Sequence, residues 1–160
     1  MNCTMKIELL FLGKTKEPYL AAGIADYIGR LSRYVRLEIK EIKEKGRNSE
    51  FAAPALIEAE GELLLQARMK SSFLVALDRS GRSLSSEEFA DTIQNWEGQG
   101  TKGLSFLIGG PLGLSPAVLQ KADFILSFSR MTFTHEMARL FLVEQIYRAY
   151  SINAGSRYHK

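Results

Sequence analysis

Five short apolar runs, each divided from the next by a stretch of helical periodicity, leave this chain few ways to fold. Lys6–Leu12 (KIELLFL) is a compact strand ended by Gly13. Ser72–Leu77 (SFLVAL), the run from Leu104 up to Gly109, and Phe124–Ser127 (FILS) are of the same kind. From Val35 the period is two, with Val35, Leu37 and Ile39 on one side and Arg36, Glu38 and Lys40 on the other, which predicts a strand near a sheet edge with one wet face. Helical spacing fills the intervals. Pro18 opens a helix carrying Leu20, Ile24, Tyr27, Ile28 and Leu31, and Pro54 opens another carrying Leu56, Ile57 and Leu63 to Leu65. Ser85 and Glu88 form a capping box before Phe89, Ile93 and Trp96, and Ser115 caps a short helix with Pro116 at its first position. The last helix, Thr134 to Ile152, is apolar on more than one face and asks for two partners, the sheet and a second subunit. Strands alternating with helices are βαβ units. The expected class is α/β, a mainly parallel sheet flanked by helices, with any ligand at the carboxyl ends of the strands. A chain of 160 residues suits a single domain over 1–160.

At the end of the fourth strand stand Gly109, Gly110 and Pro111. Two readings fit them, a plain tight turn or a place where a small molecule approaches bare backbone. Several familiar sites are excluded by spacing. Gly13-Lys14-Thr15 lacks the glycine that a phosphate loop needs five residues earlier, no GxGxxG follows the first strand, and Gly113-Leu114-Ser115-Pro116-Ala117 lacks the second glycine of a hydrolase elbow. One cysteine, Cys3, and two histidines, His135 and His159, make no zinc set, so no metal is expected. No run approaches the roughly 20 apolar residues of a bilayer helix, and the expectation is a cytoplasmic protein without membrane contact. The net charge of +3 permits a nucleic-acid partner without demanding one. Asp78 to Arg82 reads as a polar turn after the third strand, Lys43 to Ser49 as a polar loop, and Glu144 with Arg148 as an i,i+4 pair.

Several segments taken together resemble a known family: ELLFLGKTKEPY near the start, the central ALD, LIGGPLGL, LSFSRMTFTHEMAR, EQIYRAYSI and the terminal RYHK. They are similar, in the same order and over the whole chain, to the ribosomal RNA large subunit methyltransferase H family of the SPOUT superfamily. The resemblance implies a homodimeric α/β fold with a C-terminal trefoil knot, which no periodicity would have indicated. It implies S-adenosyl-L-methionine as methyl donor, and methylation of N3 of a pseudouridine in a hairpin of 23S rRNA in the assembled ribosome. Cofactor contacts carried over by position fall on Leu77, on Gly109, and on Phe128, Ser129, Arg130, Met131, Thr132 and Phe133. Tyr158 and His159 are implied near the donor methyl as catalytic residues, Arg157 and Lys160 as phosphate contacts, and His135 in a supporting role. His159 carries an imidazole, a group suited to proton handling. Leu112 departs from the pattern, standing where relatives often carry a polar residue.

Two rival readings use the same residues differently. A small-molecule or nucleotide-binding α/β protein would use the glycine loops but leave the basic, aromatic tail without a task. A noncatalytic ribosome-binding factor would use the scattered Arg and Lys but leave the apolar loops unexplained.

Overall fold

The computed structural model describes residues 5–45 and 52–159. In order these form β1 (Lys6–Leu12), α1 (Pro18–Leu31), β2 (Arg36–Ile42), α2 (Ala53–Ala67), β3 (Phe73–Ser83), α3 (Ser86–Gly98), β4 (Gly103–Ile108), α4 (Pro116–Lys121), β5 (Phe124–Ser127) and α5 (His135–Asn153), followed by one 3-10 turn over Arg157–His159. The strands make one sheet in the order β2-β1-β4-β3-β5, every neighbouring pair parallel. β4 is buried along its whole length and β1 beyond Lys6, whereas the edge strand β2 alternates exposed and half-buried residues as its period of two requires.

Helices cover both faces. On one face α1, α5 and α3 pack over Ile7, Leu9, Phe11, Val75 and Phe106; on the other α2 and α4 pack over Leu10, Leu12, Leu74, Ala76 and Leu107. Burying each such side chain is worth about 1.5–3 kcal/mol, so the alternation of faces along β1 and β4 holds the sheet between two apolar layers. The capping box forms, with Ser85 Oγ accepting from the Glu88 amide at 3.1 Å and Glu88 Oε2 accepting from the Ser85 amide at 2.7 Å. Ser115 and Thr134 cap α4 and α5 in the same way.

Within this frame three findings differ from, or add to, the sequence reading. Asp78 to Arg82 is not a turn that ends β3; the strand runs on to Ser83 across a register shift between Leu77 and Arg82, where pairing with β5 resumes. Gly81 permits this bulge, because a Cβ there would lie 2.6 Å from the carbonyl oxygen of Ile125. Second, α5 finds much of its cover within the chain, lying between α1 and α3 with Leu142, Val143, Ile146, Tyr147 and Tyr150 buried. Third, two charged side chains are fully buried. Arg139 donates to the carbonyl oxygens of Leu12 (2.5 Å) and Gly13 (3.2 Å) and to Thr15 Oγ1 (3.1 Å), and its guanidinium lies 4.7 Å over the Phe11 ring. It ties the end of β1 to α5. Glu8 accepts from the Met69 amide (2.6 Å) and Ser105 Oγ (2.5 Å), with Lys40 Nζ 2.7 Å from its other oxygen. The loop Lys43 to Ser49 lies in part, and Cys3 and Lys160 wholly, outside the described residues.

Candidate functional site

At the carboxyl ends of the strands three loops converge. After β4, Gly109 leads into a tight turn in which the Gly113 amide donates to the Gly110 carbonyl at 3.0 Å. Gly113 has φ +84°, a backbone state that glycine enters without cost. Gly109 has to be glycine for a related reason: a Cβ there would lie 2.6 Å from the carbonyl of Gly113. The turn therefore folds back on its own start. After β5, Ser127 Oγ donates to the Ser129 carbonyl (3.1 Å) and Ser129 Oγ accepts from the Met131 amide (3.0 Å), so two hydroxyls shape the loop from Phe128 to Phe133. Phe133 and Phe128 meet Phe141 of α5 edge-on, at 5.1 and 6.5 Å between centroids, which fixes the loop against the helix. The third wall is the bulged part of β3, Leu77 with Asp78 and Arg79.

These loops enclose an open cleft of about 490 Å³, a size usual for small-molecule sites. Leu77, Ile108, Leu114 and Leu126 give it apolar walls, Ser129 and Thr132 hydroxyls, and the glycine turn bare backbone. Of the cofactor positions named from sequence, Leu77, Gly109, Phe128, Ser129, Met131, Thr132 and Phe133 all line it, and Arg130 stands exposed in the same loop without lining it. Met131 at 74% and Phe133 at 39% exposure leave apolar surface at the rim. His135, in the first turn of α5, reaches the cleft as well; burial, and after it the Arg139 charge, pull its pKa below the ordinary value and favour the neutral ring. Beside it Glu136 accepts from the amides of Lys16 and Glu17 and so joins the start of α1 to the start of α5. A second cavity of about 300 Å³ shares Leu126, Phe128 and Phe133 with the cleft and extends to Phe141, Glu144 and Gln145.

The tail lies elsewhere. Arg157, Tyr158 and His159 do not line the cleft; the 3-10 turn packs against α5 and reaches Tyr27 of α1 and Glu87 of α3. Tyr158 Oη is 3.0 Å from Tyr27 Oη and donates to Glu144 Oε1 at 3.2 Å, with its ring edge-on to Tyr147 and 4.9 Å from the Arg148 guanidinium. Desolvation, then the contacts with Tyr27 and Glu144, push the phenol pKa well above its ordinary value, so the hydroxyl keeps its proton in this arrangement. His159 Nε2 is 2.7 Å from Glu87 Oε1 and Nδ1 is 3.4 Å from Arg148 Nη1. Glu144 and Arg148 pair at 2.5 Å as their spacing predicts, yet the pair also seats the tail, a task that spacing alone does not signal. Asp78 and Arg79 at the cleft were legible as a polar strand end; Ala138 was not, since nothing distinguishes it from other positions on an apolar helix.

Comparison with known proteins adds to this geometry. Residues 5–159 match the model of a family described as predicted SPOUT methyltransferase. The chain is 51% identical over 156 residues to ribosomal RNA large subunit methyltransferase H of Desulfotalea psychrophila, an alignment covering 98% of this chain and 100% of the relative. It is 47% identical over 159 residues to the protein of the same name from Carboxydothermus hydrogenoformans, and 44% over 159 residues to that of Clostridium botulinum, with the same coverage.

Proposed function

Since this chain belongs to the ribosomal RNA large subunit methyltransferase H family of SPOUT methyltransferases, we propose that it methylates N3 of a pseudouridine in a hairpin of 23S rRNA, acting as a homodimer on the assembled ribosome with S-adenosyl-L-methionine as donor. One observation carries the reading most directly. Three loops far apart in sequence converge on one cleft, and they bring together every family-implied donor contact except Arg130.

The residues present fit such a donor. Adenine takes an apolar slot with backbone donors and acceptors, supplied by Leu77, Ile108, Leu126 and the glycine turn; Asp78 and Arg79 at the edge offer one charge of each sign to the ammonium and carboxylate of an amino acid end. No phosphate has to be held, in keeping with the absence of a phosphate loop. When bound, the sulfonium supplies a methyl that is already electrophilic. What remains for the protein is alignment of N3 and removal of its proton. His135 stays neutral beside the cleft and so spares the sulfonium a like charge.

For the proton, His159 is the better of the two tail candidates, because the Tyr158 hydroxyl is held protonated by its surroundings. Neither residue lines the cleft of its own chain. We therefore read the active unit as two chains, with the tail of one completing the cleft of the other; the exposed Leu112, Met131 and Phe133 at the rim supply apolar surface for that contact. We read the chain as carrying the family's C-terminal trefoil knot.

A mixed-chain experiment tests the reading. Chains carrying Gly109→Val and chains lacking 157–160 are each inactive alone; mixed, they form a dimer with one intact cleft and one intact tail, and transfer to ribosomes returns to about a quarter of the wild-type rate under random pairing. Mapping of the methyl group to a base other than pseudouridine, or no return of activity in dimers shown to be mixed, would sink it. An isolated hairpin methylated as fast as the ribosome at equal salt would remove the assembled particle from the reading.

A further inference from the structure

The amino ends of the same strands carry a second concave surface that the proposed reaction does not use. A shallow basin of about 690 Å³ lies there, between the loop that enters β3, the turn that enters β4 and the end of α4. Arg68, Lys70, Lys102 and Lys121 stand around it with a single carboxylate, Asp123. The Asp123 carboxylate already accepts the Leu74 amide at 2.7 Å. Lys70, Lys102 and Lys121 are exposed and their side chains make no ion pair among the described residues, and the Arg68 guanidinium donates to the Ser72 carbonyl at 3.1 Å.

From this we infer that the basin is a docking surface for the phosphate backbone of a second RNA segment, distinct from the one presented to the cleft; the inference rests on the ribosomal RNA substrate proposed above. Charge distribution favours it. Four cations against one carboxylate give the basin a net +3, equal to the net charge of the whole chain, so the remaining residues sum to zero. Four cations at this surface face one carboxylate of the protein's own, and a polyanion relieves the repulsion among them. The cations come from three segments separated by tens of residues, unlike the run of charges that solvates a single helix face.

Preorganisation supports the same conclusion. Buried Glu8 holds the Met69 amide and Ser105 Oγ, which is 2.6 Å from Ser72 Oγ, and Ser72 Oγ in turn donates to the Met69 carbonyl at 2.9 Å. Between them Ser71 has φ 60°, a left-handed state uncommon outside glycine. The backbone carrying Arg68 and Lys70 is thus anchored from within the sheet and needs little ordering on binding. Hydroxyls of Ser71 and Thr101 join the lysines, a set suited to phosphate oxygens, while the apolar side chains of the lining, Met69 and Phe73, are half-buried and leave the exposed positions to charge. Phe73 opens on the basin and Leu77 on the cleft, so the two surfaces are separated along β3 by roughly 13 Å of strand.

The combined variant Lys70→Ala, Lys102→Ala, Lys121→Ala tests this in the full-length protein, since all three positions are exposed and outside the cleft. Binding to assembled ribosomes is measured from 50 to 200 mM salt, with donor affinity by calorimetry and single-turnover transfer at saturating ribosome in parallel. At roughly 0.7–0.9 per phosphate contact in the salt slope, three contacts make the wild-type affinity fall about 20- to 40-fold more than the variant's over that range. Donor affinity and the saturated rate stay as in wild type, and Lys→Arg at all three positions restores the slope. An unchanged slope in an active enzyme overturns the inference. So does a loss of affinity that vanishes when ribosomal proteins are stripped from the RNA, because the partner would then be protein. A slope difference in a protein that methylates no RNA keeps the basin and refutes the proposed reaction instead.

Discussion

Replacing Gly109 by alanine probes the cleft with one carbon atom. Its Cβ would stand 2.6 Å from the carbonyl carbon and oxygen of Gly113 and 3.0 Å from the Leu114 amide nitrogen, where ordinary contact begins at 3.4 Å. In a close-packed interior the returning backbone must therefore move by about 0.8 Å. It is not free to do so, because Gly113 donates to Gly110, Leu114 is buried in the core under α2 and α4, and buried Ser115 caps α4. Overpacking of this kind costs about 1–3 kcal/mol, which lowers the midpoint of thermal unfolding by roughly 3–9 °C in a chain of this length. The donor loses more than stability does. If the displaced turn forfeits one or two backbone hydrogen bonds of about 1–1.5 kcal/mol each, affinity falls about tenfold or further. Calorimetric titration with S-adenosyl-L-methionine and scanning calorimetry read the two effects separately. Gly98→Ala is the control: its Cβ meets nothing within 4 Å, and the helix gains about 0.5–1 kcal/mol from losing a glycine. Donor affinity of Gly109→Ala equal to that of wild type would refute the argument that backbone of this turn contacts the cofactor.

Removal of 157–160 abolishes transfer and leaves donor affinity near wild type, while loss of the Tyr158 contacts with Tyr27, Glu144 and Tyr147 lowers the unfolding midpoint by roughly a few degrees, as single-turnover assays with parallel calorimetry will read. His159→Ala lowers the transfer step by roughly 10² to 10⁴ if the ring takes the N3 proton; a rate restored by excess ribosome would make it a clamp instead. Arg139→Met leaves the Leu12 and Gly13 carbonyls without their charged donor and costs about 2–4 kcal/mol in urea unfolding, and a loss under 1 kcal/mol would mean that water replaces it. The pKa of His135 is lower folded than unfolded, so the unfolded chain takes up the proton first as pH falls through 6.5 and stability declines from there until the folded ring also titrates. His135→Gln removes that part of the slope, and identical pH profiles of the two proteins between pH 7.5 and 5.5 would exclude the histidine as its source.

Much of the architecture was legible because apolar runs and caps are local signals. β1 and β5 have the boundaries their hydrophobic runs suggest, and Ser85 with Glu88, Ser115 with Pro116 and Thr134 mark helix starts by chemistry that spans only three residues. What escaped was decided at long range. The continuation of β3 past Asp78 depends on Ile125 approaching Gly81 from another strand, and no pattern within a polar segment announces that. Glu8 interrupts an apolar run in a strand buried on both faces, a signal that should have called for a partner, but the partners lie at 40, 69 and 105. Arg139 reads as one more polar position on a long helix until the end of β1 is brought against it. The cleft loops came from family resemblance and glycine chemistry together. The docking of the tail on Tyr27, Glu87 and Glu144 depends on the register of three helices, which sequence leaves open.

The strand order has a consequence for how the chain is made. β1 can pair with β2 as soon as Ile42 has emerged, but its other neighbour, β4, begins at Gly103 and slots between β1 and β3. At about 5–20 residues per second, synthesis leaves one edge of β1 bare for roughly 5–20 s, and β3 waits for β4 as well. The central strand is therefore made after both of its neighbours, and only the edge strand β5 follows it. A nascent chain paused before Gly103 presents two unpaired apolar edges side by side, the form in which β-structure most readily adds a strand from another molecule. Rapid translation between Ser83 and Gly103 would shorten that interval, and α3, with its capping box, occupies the stretch of sequence made during it.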